Sequence, residues 1–156
     1  MKIGEVISFL ESLAHPSLQE HYDNAGLITG DAGWDCKGII CSLDATEDVV
    51  KEAIEKKYNL IVAHHPIIFG GLKKINGKNY VEKAVITAIK SDIAIYAIHT
   101  NLDNVIDGVN GRMAKMIGLK NISVLTPKPN TLKKLFTFVP VEKAEHIRNA
   151  VFAAAR

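Results

Sequence analysis

Apolar residues along this chain fall into two repeating patterns, and the alternation between them outlines an architecture. Ile3, Val6, Ile7, Leu10 and Leu13 recur at the spacing that lines one face of a helix, and His15-Pro16 closes the run. Tyr22 to Gly30 mixes turn formers with a brief β-like stretch, in which Gly26 marks tight backbone geometry. The chain then alternates. Short apolar runs at 39–43, 60–63 and 93–98 read as strands. Between them lie helical stripes: Val49, Val50, Ala53 and Ile54 in a helix from about Thr46 to Lys57, and Val81, Ala84, Val85, Ala88 and Ile89 in one near Tyr80 to Lys90. A last stripe, Val109, Met113, Met116 and Ile117, predicts a helix near Asp107 to Ile117, capped by Gly118. The order β-α-β-α-β-α predicts an α/β fold, a mostly parallel sheet covered by helices. Leu60 to Val62 is apolar throughout, as in a central strand buried on both faces, so a one-sided antiparallel sheet is excluded.

Thr126-Pro127-Lys128-Pro129-Asn130 breaks this alternation, because two prolines in three residues oppose helix and central strand alike. Three regions are therefore expected: a lobe over 1–126, a linker over 127–132, and a segment over 133–156. In the last segment Leu135–Val139 reads as a strand and Glu142–Ala155 as a helix. One strand and one helix cannot bury their own faces, so this segment is expected to begin a second domain that is incomplete here.

Composition narrows the class without naming a function. At 156 residues and 47% hydrophobic the chain can bury one good core, and its net charge of +2 gives no reason to propose nucleic acid or an anionic membrane as partner. No apolar run approaches the roughly 20 residues of a membrane helix. Cys36 and Cys41 lack a paired spacing, which favours a reduced, cytoplasmic setting; Cys41 reads as a small core residue and Cys36 as a turn residue.

The candidate chemistry sits where the apolar runs end. Leu60-Ile61-Val62-Ala63 runs into His64-His65-Pro66, and Ile93 to Ile98 ends on His99, with Asp103 four residues on. Ligands of open α/β sheets gather outside the carboxyl ends of strands, and imidazoles with a carboxylate suit zinc, iron or manganese. Asp103 is the candidate bridge between two ions. Adjacent strand residues point to opposite faces, so His64 and His65 can share a site only if the strand has ended by His64, as Pro66 suggests. Asp44 precedes Thr46-Glu47-Asp48 and reads first as a helix cap. The loop Gly70 to Lys78 carries three lysines and reads as a solvated Asn-Gly hairpin, with an electrostatic lid over phosphates as the sharper alternative. No GxxxxGK[ST] or GxGxxG pattern occurs, and His15, His21 and His146 lack partners at ligand spacing.

Three segments together resemble the Nif-three-like dinuclear metal-centre family, whose members are often labelled GTP cyclohydrolase 1 type 2 homologues. Asp23-Asn24-Ala25-Gly26-Leu27 is similar to its early Asp-Asn-x-Gly-Leu signature, Ala63-His64-His65-Pro66 to its central motif, and His99-Thr100-Asn101-Leu102-Asp103 to its His-x-x-x-Asp segment. The resemblance covers most of residues 1–125. It implies that His64, His65 and Asp103 are metal ligands, with Asp103 bridging, and that His99 supports them or faces substrate. It implies two divalent ions drawn from zinc, iron, manganese or magnesium, a small-molecule or nucleotide substrate, and a ring-like homohexamer.

The family completes its site with a C-terminal His-x-x-x-Glu, which this chain does not reproduce, since Ala150 stands four residues after His146. The chain thus resembles the N-terminal half of a larger protein, and weak metal affinity is expected of it alone. The function implied is a metal-dependent hydrolase that opens the imidazole ring of GTP with loss of formate. Rivals are a metal-bearing scaffold or regulatory protein with little turnover, and a phosphoesterase. The Asp-His-His motif of such phosphoesterases needs a carboxylate where Ala63 stands.

Overall fold

The computed structural model describes residues 1–127 and 135–154. Helix α1 (Ile3–Leu13) leads through a single 3-10 turn to strand β1 (Gly26–Thr29). There follow β2 (Ile39–Ser42), α2 (Glu47–Lys56), β3 (Leu60–Ala63), α3 (Tyr80–Lys90), β4 (Ala94–Ala97), a one-turn α4 (Thr100–Asp103), α5 (Val109–Met116) and α6 (Ala144–Ala154). The four strands form one sheet in the order β1-β4-β3-β2. β2, β3 and β4 are parallel, as the alternation predicts, and β1 closes the far edge antiparallel to β4.

Period-two alternation of the central strands divides the core into two layers. Ile61, Ala63 and Ile95 face α2 and α3 and pack with Val50, Ala53, Ala84 and Ala88. Leu60, Val62, Ala94 and Tyr96 face the other way, onto Ile3 and Val6 of α1. Every residue of β3 and β4 is buried, which is why their sequences are apolar without alternation. Burying each such Ile, Leu or Val side chain is worth about 1.5–3 kcal/mol, so these two strands are the firmest platform the chain has. Gly30 leaves β1 at φ +92° and lies so close that an added Cβ would stand 2.6 Å from Ala94, a position only glycine fills.

Several sequence expectations shift. The stripe Val109, Met113, Met116, Ile117 does not face the core; α5 buries Gly111 and Ala114, while Met113, Met116 and Ile117 stand more than half exposed. Cys41 is exposed, because β2 is an edge strand with one uncovered face. The Asn-Gly segment forms no hairpin. Instead Glu82 gathers the N–H groups of Asn76 and Lys78 and the Asn79 side-chain amide. Leu135–Val139 is not a strand. A 3-10 turn over Val141–Lys143 opens the helix expected there. The linker expected over 127–132 lies, apart from Pro127, outside the described residues, as do residues 133, 134, 155 and 156.

Candidate metal centre at the strand ends

β3 ends at Ala63, one residue before the paired histidines, so they escape strand alternation. Their N–H groups still donate to the end of neighbouring β2, His64 to Ser42 O at 3.1 Å and His65 to Leu43 O at 2.9 Å. The two rings stand 5.0 Å apart. From the adjacent strand, His99 leaves β4 two residues past its end and brings a third ring 5.1 Å from His64 and 5.5 Å from His65.

One ring nitrogen from each of His64, His65 and His99 lies within 4.8 Å of the others. The three Nδ1 nitrogens are all engaged. His64 Nδ1 is 3.0 Å from Ile98 O, His65 Nδ1 2.8 Å from Asp44 Oδ1, and His99 Nδ1 2.8 Å from Asp23 Oδ1. A carbonyl oxygen or a carboxylate can only accept here, so each Nδ1 carries its proton and donates. In the neutral ring Nε2 then presents the lone pair that a metal requires of an imidazole. A cluster of this chemistry could hold a divalent ion, and its orienting partners are already in place.

The partner of His99 is the most heavily bonded carboxylate of the site. Asp23 receives the Thr100 hydroxyl, the Thr100 N–H at 3.1 Å and its neighbour Asn24 N–H at 2.6 Å besides His99. Burial alone would raise its pKa, but the hydrogen bonds from Thr100 and His99, and then from the backbone of Thr100 and Asn24, outweigh it and hold it below the usual carboxylate value. Thr100 sits at the start of α4, and buried Asn101 ties the same turn to the end of α1 through Ala14 O at 2.8 Å.

Asp44 is not the cap of α2. That role falls to Thr46, whose side chain accepts from Val49 N–H, and Asp44 turns to His65 instead. Asp103 stands at the edge of the cluster, its Oδ1 3.8 Å from His64 Nε2, and also lines a larger cavity of about 1000 Å³ beside His15, Asn104, Ile106 and Leu125. His15 caps its own 3-10 turn. The contribution of Asp23 was missed in the sequence apart from its motif, because its partners lie 76 and 77 residues away. The available signal was a carboxylate in a turn, followed by a glycine at φ +115°.

Fold and site together define an α/β domain with an imidazole cluster at the carboxyl edge of a parallel sheet. A family model described as Duf34/NIF3 (NGG1p interacting factor 3) matches residues 1–154, and the chain belongs to that family. A Staphylococcus aureus protein named GTP cyclohydrolase 1 type 2 homolog is 40% identical over 140 residues, covering 90% of this chain and 38% of its own length. A Clostridium acetobutylicum protein of the same name is 37% identical over 134 residues, covering 86% and 50%. Among solved structures, a Bacillus cereus protein related to NIF3 superposes with a TM-score of 0.78 at 38% identity, covering 97% of this chain and 42% of that one. The chain thus spans half or less of the length of these relatives. No helix of the described residues is long and apolar enough to cross a membrane.

Proposed function

We propose that this chain carries the N-terminal part of a dinuclear metal site and that the protein containing it is a metal-dependent hydrolase. One observation carries the reading: three imidazoles converge on a common point with every Nδ1 held by an acceptor. His64, His65 and His99 would hold an ion through Nε2, and Asp103 would offer a carboxylate toward a second. A bound divalent ion supplies a water of lowered pKa and polarises the group attacked. The chain's own residues supply the rest. Ile98 O, Asp44 and Asp23 fix the tautomer and aim of each ring. Pro66, Ile67 and Phe69 line one side of the site.

The relatives' name supports GTP as the candidate substrate and hydrolytic opening of its imidazole ring, with release of formate, as the candidate reaction. The test is metal binding and formate release measured together. Zinc or manganese titrated into the chain should bind, weakly as part of a divided site allows, and His64→Ala or His99→Ala should weaken that binding further. Protein extended to the full length of its relatives should release formate from GTP. A chain whose zinc binding is unchanged by either alanine substitution would exclude this site.

A further inference from the structure

The rim carries a second chemistry that imidazoles alone do not explain. A cavity of about 490 Å³ opens beside the cluster, with His65 and His99 on its lining and the rings of Phe69 and Tyr80 among its walls. Phe69 is 52% and Tyr80 65% exposed, so two aromatic faces stand open to solvent next to three metal-competent rings. Phe69 is held there: Asn24 Nδ2 donates to Ile68 O at 2.6 Å, and the Phe69 ring stands edge-on to His99 at 6.2 Å. The turn whose Asp23 orients His99 therefore also sets the residue before this aromatic wall.

The ten residues between these walls, 70–79, form a single loop that leaves Phe69 and returns to Tyr80. Its returning end is fastened by Glu82, only 7% exposed, which accepts from Asn76 N–H, Lys78 N–H and Asn79 Nδ2. Residues 70–75 have no hydrogen bond or ion pair among the described residues, and Gly70-Gly71, the latter at φ +77°, opens that stretch. Lys73 and Lys74 lie on it, both exposed and without a carboxylate partner among the described residues. Glu82 is occupied by backbone, so it does not neutralise them. The cavity lining itself offers no lysine or arginine, and its one carboxylate, Asp44, is bound to His65. The loop that joins the two aromatic walls carries Lys73 and Lys74 four and five residues past Phe69.

We propose that loop Gly70–Lys78 is an anion clamp for a planar, phosphate-bearing small molecule, whose ring lies against Phe69 and Tyr80 and whose phosphates are taken by Lys73 and Lys74. The assignment rests on the hydrolase reading for the fate of the ring, whereas the binding needs no ion. Stacking on aromatic faces is tolerant of ring identity, and charge-assisted contacts to phosphate supply most of the discrimination.

Calorimetric titration of the 156-residue chain in chelator, with guanosine, GTP and inorganic triphosphate as probes, separates this from the metal reading. GTP and triphosphate bind, guanosine binds at least about tenfold more weakly, and Lys73→Ala/Lys74→Ala removes about that factor for the two phosphates while leaving guanosine unchanged. Lys73→Arg/Lys74→Arg retains GTP binding, and Phe69→Ala weakens GTP and guanosine but not triphosphate. Circular dichroism of each variant checks folding, which these exposed positions do not govern. The clamp is overturned if the double alanine variant binds GTP as the parent does, if guanosine binds as tightly as GTP, or if triphosphate fails to bind. Loss of the hydrolase reading shows separately, as zinc binding indifferent to His64 and His99.

Discussion

Asp23–His99 and Asp44–His65 are both carboxylate–imidazole pairs 2.8 Å long on the same rim, yet one is enclosed and the other open. The Asp23 side chain is fully enclosed and His99 17% exposed, against 54% and 46% for Asp44 and His65. Asp23 also accepts from Thr100 twice and from Asn24, while Asp44 has the imidazole alone among the described residues. Equal distance therefore does not mean equal worth. An exposed pair contributes little because water competes for both partners, whereas an enclosed one cannot lose a member without orphaning the rest.

Removing the acceptors breaks the comparison most sharply. Asp23→Ala strips His99 Nδ1 and the Thr100 N–H of their partner and is expected to cost about 2–3 kcal/mol of folding stability. Asp44→Ala should stay within about 1 kcal/mol. Urea denaturation of the two variants measures both, and similar losses would show the enclosure of Asp23 to be energetically empty. The same asymmetry carries into metal retention. Asp23→Asn keeps shape and removes charge, and is expected to weaken zinc binding by about tenfold or more, while Asp44→Asn, with a ring that water can reorient, loses less. Competition against a chromogenic chelator ranks them.

A smaller effect isolates the hydroxyl. Thr100→Val preserves volume and removes two hydrogen bonds, the one its hydroxyl donates to Asp23 and the one it accepts from Glu20 N–H at 2.9 Å, and should cost about 1–2 kcal/mol. Made in the Asp23→Ala background it should cost only the share due to Glu20 N–H, about 1 kcal/mol or less; fully additive losses in that double-mutant cycle would mean the bond to Asp23 contributes nothing.

What the sequence made legible follows the same line between local and distant causes. β3 and β4 were readable because burial on both faces leaves an unbroken apolar run, and the meeting of the imidazoles was readable because a histidine follows each run. The side of α5 was not. Periodicity says which residues share a helix face, not whether anything covers it, and here Gly111 and Ala114 permit close approach on the opposite side. Leu135–Val139 has strand composition without being a strand, since composition does not supply the neighbouring strand a ladder needs. Thr46 and Asp44 are two residues apart and both fit a cap, and the choice was decided by His65, 21 residues from Asp44.

Glu82 and Asp35 extend the contrast beyond the rim, with the smallest effect and the cleanest sign. Both carboxyls are held below their usual pKa, but Glu82 chiefly by N–H groups of Lys78 and Asn76, and Asp35 chiefly by the hydrogen bond and charge of Lys2. A carboxylate with a lowered folded pKa contributes stability that is present above its unfolded value, about 4.3 for Glu, and is lost as pH falls through the lower folded value. Glu82→Gln should therefore flatten the acid side of the stability profile below about pH 5, leaving neutral pH less altered in slope. Salt then separates the two sites. At about 1 M, where charges are screened within about 3 Å, the part due to Lys2–Asp35 should fade, while the part due to Glu82 persists because backbone dipoles in hydrogen-bond contact hold it. Acid titrations of urea stability for Glu82→Gln and Asp35→Asn at low and high salt read this directly, and a Glu82 contribution that vanished with salt would place its cause in the loop lysines instead.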